Sequence, residues 1–129
     1  MRSVQPVIGL FDSGVGGLSV LQQLLARHAD LNYVYLADSA YFPYSLQPAD
    51  FIEQRVLQLC EWMEKTYPLQ ALVMACNTAS ATTYADLVEH HLPFPVYEPI
   101  GVTCDWIKKY HPDVKNIVVL ATPVTIATN

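Results

Sequence analysis

Cys76 closes the apolar run Ala71-Leu72-Val73-Met74-Ala75 and is followed at once by Asn77, Thr78 and Ser80. The run reads as a short buried strand over 71–75 and the segment 79–89 as a helix, which puts the thiol at the turn between them. A cysteine at a helix N-terminus faces free backbone N–H groups and the positive end of the helix dipole, both of which favour the thiolate. Cys76 is therefore a candidate base or nucleophile. Filling space behind a sheet is the alternative role for a free cysteine, and Asn77 or Thr78 could serve only to cap the helix. Three hydrogen-bonding side chains directly after a buried strand suit a ligand better than a core.

A second polar cluster follows the run Val7-Ile8-Gly9-Leu10-Phe11. The residues Asp12-Ser13-Gly14-Val15-Gly16-Gly17 make a glycine-rich turn into a helix with Leu18, Leu21, Leu24 and Leu25 on one side. Ser19 stands where a dinucleotide fingerprint would have its third glycine, so the loop is a weak nucleotide signal. Its glycines would let a ligand approach the backbone, and the helix N-terminus favours an anionic group such as a carboxylate. Asp12 adds a charge able to hold an ammonium or orient a thiol, although Asp12 or Ser13 could simply cap the helix. A third cluster, Asp38 to Ser45, follows the run Asn32 to Ala37. Of its aromatic residues, Tyr44 is assigned to ligand contact, while Tyr41 and Phe42 either wall the site or pack under the loop. Thr122-Pro123-Val124-Thr125 follows a further apolar run, Asn116 to Ala121.

These clusters must be positioned by elements that alternate strand and helix. The pattern predicts strands at Val7–Phe11, Asn32–Ala37, 71–75 and Asn116–Ala121, with helices after the glycine loop, from Pro48 to about Tyr67, from 79 to 89 and from Gly101 to Tyr110. Such a rhythm implies an α/β fold with a parallel sheet flanked by helices, whose ligands bind outside the carboxyl ends of the strands. Each polar cluster lies at such an end. Pro93, Pro95 and Pro99 bracket a short strand that reads as a crossover or interdomain connection, dividing the chain into an α/β domain at 1–97 and the start of a second at 98–129.

Composition narrows the partner. The chain has 129 residues, 52% hydrophobic and 15% charged, which suffices for a modest globular core. A formal net charge of −5 with 7 Lys+Arg, clustered nowhere beyond Lys108-Lys109, makes nucleic acid an unsuitable partner and a small molecule the better one. No apolar run reaches membrane-spanning length, and the segment from Met1 to Pro6 lacks a signal-peptide core, so the expected compartment is the cytoplasm. Three cysteines without Cys-x-x-Cys spacing argue against a disulfide framework or a cysteine zinc site, and no metal site is read. Cys60 and Cys104 fall in apolar helical patterns and are expected to pack.

A thiolate, a carboxylate, hydroxyls and exposed N–H groups with little positive charge suit a small acid bearing an amine. A cysteine nucleophile would need a general base, yet His90 and His91 lie at the far end of the helix that begins after Cys76. A cysteine phosphatase would need an arginine shortly after the thiol, and none follows. Proton transfer at carbon, with the thiolate as base, remains.

At these residues the sequence resembles glutamate racemase of the aspartate/glutamate racemase family. The resemblance is carried by Ile8 to Leu18, Asp38 with Pro43-Tyr44, and Ala75-Cys76-Asn77-Thr78-Ala79-Ser80, with further likeness at Glu98 to Val102 and Ala121 to Thr125. It implies a flavodoxin-like first domain of a two-domain, cofactor-independent racemase, truncated here, with no pyridoxal phosphate. It also implies that Cys76 is one of two catalytic thiols, on the D-glutamate side, and that Asp12 assists proton transfer. Asp12, Ser13, Tyr44, Ser45, Asn77, Thr78, Thr122 and Thr125 would hold L- or D-glutamate. Ser45 stands where the family has glycine. The family's second cysteine, with its following Thr-His, lies beyond Asn129, so the chain is expected to be the N-terminal half and to racemise little or nothing alone. Exposed apolar surface and self-association into a homo-oligomer would follow. Two other readings stay open: a racemase of aspartate or a related diacid, and a non-catalytic glutamate-binding or regulatory fragment.

Overall fold

The structure is a computed structural model that describes residues 6–89 and 92–128, so His90, His91 and the segment before Pro6 lie outside it. Its sheet is parallel throughout. The central strand β1 (Val7–Asp12) pairs on one side with β2 (Asn32–Ala37) and on the other with β3 (Leu69–Met74), and β3 pairs with the short edge strand β4 (Val96–Tyr97). The strand order β2-β1-β3-β4 is the flavodoxin-like order, which reverses direction between β1 and β3. In sheets of this order ligands bind at that reversal, in the crevice outside the carboxyl ends of the strands, which here means the loops after β1 and β3. The sequence expectation of a parallel α/β sheet therefore holds, and Val96–Tyr97 belongs to this same sheet.

The helices are α1 (Leu18–Arg27), α2 (Ala49–Thr66), α3 (Asn77–Glu89), α4 (Pro99–Tyr110) and the short α5 (Pro123–Ala127). Ile52, Val56, Cys60 and Met63 recur along α2 at helical spacing and are all buried against Phe11, Leu72 and Met74 of the sheet, with Ala79 and Leu87 of α3 completing this layer. Cys60 packs there as the sequence suggested. On the opposite face α1 buries no residue completely, and a groove of about 560 Å³ runs beside it, lined among others by Ile8, Val20, Leu24, Val73 and Val102. Among the described residues no helix is long and apolar enough to cross a membrane.

Three expectations are corrected. Asn116–Ala121 is not a buried strand: it has no regular secondary structure and is exposed, because a strand exists only against a neighbouring strand and none of the described strands pairs with it. The helix expected from Gly101 begins at Pro99, because the Glu98 carboxylate accepts from the N–H groups of Ile100 and Gly101 and caps it. Cys104 is exposed rather than packed, on a helix that buries none of its residues.

Candidate active site

β3 ends at Met74, and two residues later the Cys76 carbonyl accepts the first helical bond of α3, from the Ser80 N–H at 2.9 Å. Cys76 itself is thus the capping residue. Its Sγ receives the Ala79 N–H at 3.5 Å, the contact that the side chain of an N-cap serine or aspartate would make. Neither Asn77 nor Thr78 caps the helix. The Ser80 hydroxyl donates to the Cys76 carbonyl at 2.8 Å, which ties the turn from its other side. Cys76 retains 7% of its surface, enough to be touched from the crevice.

The loop after β1 comes to meet it. Ser13 is buried with its Oγ 3.4 Å from Cys76 Sγ across 63 residues of sequence. Asp12, also buried, accepts the Gly17 N–H on Oδ2 at 2.9 Å, so the carboxylate closes the loop upon itself rather than capping α1 with its side chain. The glycines of this loop serve packing more directly than ligand approach. A Cβ on Gly17 would stand 2.8 Å from Ala75 Cβ and 2.9 Å from the Tyr35 hydroxyl, and one on Gly14 would stand 2.8 Å from the Phe42 ring. No glycine has positive φ, so at Gly14 and Gly17 space and not conformation makes the demand, whereas a Cβ on Gly16 would meet only Asp12 Oδ2 at 3.6 Å.

Three threonines form the opposite wall. Thr78, in the first turn of α3, lies 3.1 Å from the Thr122 hydroxyl, and Thr122 lies 3.0 Å from that of Thr125. Thr122 caps α5 by accepting the Thr125 N–H at 3.3 Å, and this hydroxyl chain holds α5 against α3. Residues 44 apart in sequence thereby share one rim.

The aromatic loop after β2 is anchored by an ion pair whose carboxylate is buried and whose guanidinium reaches solvent. Asp38 accepts two bonds from Arg55 of α2, both at 2.9 Å, and a third from the Tyr44 hydroxyl at 2.7 Å. The guanidinium holds the Asp38 carboxyl below the usual carboxylate range, while burial and the adjacent carboxylate push the Tyr44 phenol far above its ordinary value. Tyr44, only 1% exposed, thus directs its hydroxyl into this network, and Ser45 follows it in a half-buried 3-10 turn. Tyr41 packs edge-on against Phe51 at 4.9 Å with Arg55 over its ring, so of the two remaining aromatics only Phe42 lies over the glycine loop.

Ser13 is therefore linked to Cys76, and Thr78 through Thr122 to Thr125, while Asp12 stands next to Ser13 at the end of β1 and bonds Gly17 and Tyr35; Asn77 is exposed beside the thiol and joined to none of them by a hydrogen bond. The neighbours of these residues that sequence reasoning passed over are Tyr35 and Arg55. Tyr35 donates to Asp12 Oδ2 at 3.3 Å and to the Gly14 carbonyl at 3.0 Å. Its signal in the sequence was the alternation of Tyr33 and Tyr35 along β2, which sets both on one face of the sheet. Arg55 had none, since one cation on an amphipathic helix reads as surface.

The chain is similar to known proteins in sequence and in fold. No family model matches the chain. It is 46% identical over 103 residues to glutamate racemase of Cupriavidus pinatubonensis, an overlap of 79% of this chain and 36% of that protein. Over its whole length it is 37% identical to glutamate racemase of Borreliella burgdorferi, of which it covers 45%. In three dimensions it superposes with a TM-score of 0.87 on the crystal structure of glutamate racemase from Francisella tularensis in complex with D-glutamate, at 27% identity, covering 96% of this chain and 45% of that one. The chain thus spans less than half the length of these proteins.

Proposed function

Because the chain is related in sequence and fold to glutamate racemases over less than half of their length, we propose that it is the thiol-bearing N-terminal part of such an enzyme, interconverting L- and D-glutamate by proton transfer at Cα. One observation carries the reading. A cysteine caps α3 with its sulfur, a serine hydroxyl stands 3.4 Å from that sulfur, and an adjacent carboxylate closes the facing loop.

In this reading Cys76, as thiolate, takes the Cα proton of D-glutamate. The electron pair passes into the substrate carboxylate, and a second thiol on the opposite face, outside these 129 residues, returns a proton to give the L-form. Asp12 assists the transfer and pairs with the substrate ammonium. Ser13, Asn77, Thr78, Thr122 and Thr125 supply hydroxyl, amide and N–H groups to the carboxylates, and Tyr44 and Ser45 contribute from the loop after β2. No cofactor takes part. Residues 98–129 begin the second domain, which supplies the other wall. The product serves peptidoglycan synthesis in the cytoplasm, and the chain alone racemises little or not at all.

The test is α-proton exchange in D2O, followed by NMR for each enantiomer separately with the purified chain. D-glutamate alone should exchange: the thiolate removes the proton, the solvent-exchanged thiol returns a deuteron to the same face, and Cys76→Ala abolishes the signal. Interconversion of both enantiomers would contradict the half-site reading. Failure of a folded chain to exchange either one would remove the racemase reading of Cys76 and leave a binding role.

A further inference from the structure

The two oxygens of Asp12 are held unequally. Oδ2 accepts from the Gly17 N–H at 2.9 Å and from the Tyr35 hydroxyl at 3.3 Å, whereas Oδ1 has no hydrogen bond among the described residues. No buried side-chain oxygen of those residues lacks a partner, so Oδ1 is open to whatever enters the crevice. Tyr35 is held equally firmly. Its single proton is shared between Asp12 and the Gly14 carbonyl at 3.0 Å, a three-centre bond that joins the first half of the glycine loop to the neighbouring strand.

The register explains the reach. Tyr35 pairs with Leu10, two residues before Asp12 along β1, so its ring runs along the strand toward the loop and ends beneath it. The absence of a side chain at Gly17 makes room for the hydroxyl, which would lie only 2.9 Å from a Cβ there. Burial, reinforced by the Asp12 charge, pushes the phenol up to about 12, so at neutral pH it remains a donor.

We propose that Tyr35 is a positioning residue of the proton-transfer site: its hydroxyl fixes Oδ2 of Asp12 against the glycine loop and leaves Oδ1 presented to the substrate. The proposal rests on the reading of Asp12 and Cys76 as the site of proton transfer. The Tyr35 hydroxyl bonds Asp12 and Gly14 and not the thiol, so it acts through the rotamer of a carboxylate. A tyrosine that merely packed would tolerate loss of its hydroxyl without consequence at Asp12.

The experiment compares Tyr35→Phe with the unaltered 129-residue chain labelled with [13Cγ]aspartate, the Asp12 resonance being identified by its absence in Asp12→Asn. At neutral pH the Asp12 resonance should move in Tyr35→Phe while far-UV circular dichroism is unchanged. Exchange of D-glutamate at saturation should fall about ten- to a hundredfold, the range spanned by one hydrogen bond to a charged group. The half-saturating concentration should change less than the rate at saturation, because Oδ1 still reaches the substrate ammonium while its orientation for the transfer is lost. An unmoved Asp12 resonance, or unchanged exchange, overturns the proposal. Should the unaltered chain exchange neither enantiomer, the function fails while the resonance still decides the positioning. Should Tyr35→Phe not fold, the [13Cζ]tyrosine resonance of Tyr35 in Asp12→Asn replaces it, and lack of movement there overturns the proposal equally.

Discussion

Three thiols in one chain meet three environments, and their reactivities should separate accordingly. Cys60 sits in the layer between α2 and the sheet, where burial pushes its thiol up to about 12. Cys104 lies exposed on α4, and Cys76 has 7% of its surface at the crevice. At pH 8 a disulfide reagent such as DTNB should label Cys104 at once and Cys60 only after denaturant is added, which mass spectrometry of the peptides would show. Rapid native labelling of Cys60 would mean that the α2 layer opens readily. Arg55 offers a second prediction at this scale. Arg55→Met strips the bidentate partner from an Asp38 that is 4% exposed, leaving a buried carboxylate held by Tyr44 alone. A loss of roughly 1–3 kcal/mol is expected, discounted from a fully buried pair because Arg55 reaches solvent. The Asp38 carboxyl is held below the ordinary aspartate value of about 3.8, so the pair's stabilisation is fully present above that pH and lost as pH falls through the lower, folded value. Urea midpoints of the two proteins should differ by a constant amount at neutral pH and converge in acid below about pH 3.8; a gap that persisted there would assign the loss to packing.

What was legible at the level of elements was what local sequence controls. β1, β2 and α2 could be read from alternation and helical period, and the turn at Cys76 from the change from apolar to small polar residues, because each depends on neighbours in the chain. Asn116–Ala121 carries the same apolar pattern as β3, yet forms no strand, since pairing depends on a partner that sequence position does not supply. Tyr35 and Arg55 escaped for the same reason: what each means is set by Asp12 and Asp38, which are respectively 23 and 17 residues away. The α5 cap shows how far such non-local links matter. Thr122 both caps this five-residue helix and reaches Thr78 of α3, so Thr122→Val removes the cap and the tether together. The cap alone is worth about 1 kcal/mol, and so short a helix has little intrinsic stability with which to absorb its loss. Hydrogen exchange at the Ile126 N–H, which bonds the Thr122 carbonyl at 3.0 Å, should accelerate about fivefold or more while exchange in β1 is unchanged. Equal protection in both proteins would show that apolar contact of α5, and not the hydroxyl chain, holds this wall of the site.

At the scale of the whole molecule, the apolar residues divide between a closed layer and an open one. The α2–α3 face of the sheet is filled, whereas Val118 and Leu120 are 86% and 93% exposed on a segment whose backbone joins no ladder. A run of β-branched and aliphatic residues whose N–H and C=O groups join no ladder is a template for pairing with another chain. The net charge of −5 opposes such pairing only weakly, because screening at physiological salt leaves charges more than about 8 Å apart nearly independent. The 129-residue chain should therefore self-associate at micromolar concentration, the homologous segment of a second copy covering the first. Sedimentation should report a mass above 14.4 kDa, and Val118→Lys with Leu120→Lys should return the protein to monomer without changing its circular dichroism. Because both positions lie outside the cluster of Cys76, Asp12 and Ser13, the monomeric variant should retain the D-glutamate exchange of the unaltered chain. If exchange vanished with the association, the working unit would be the assembly, with a second copy closing the crevice that one chain leaves open.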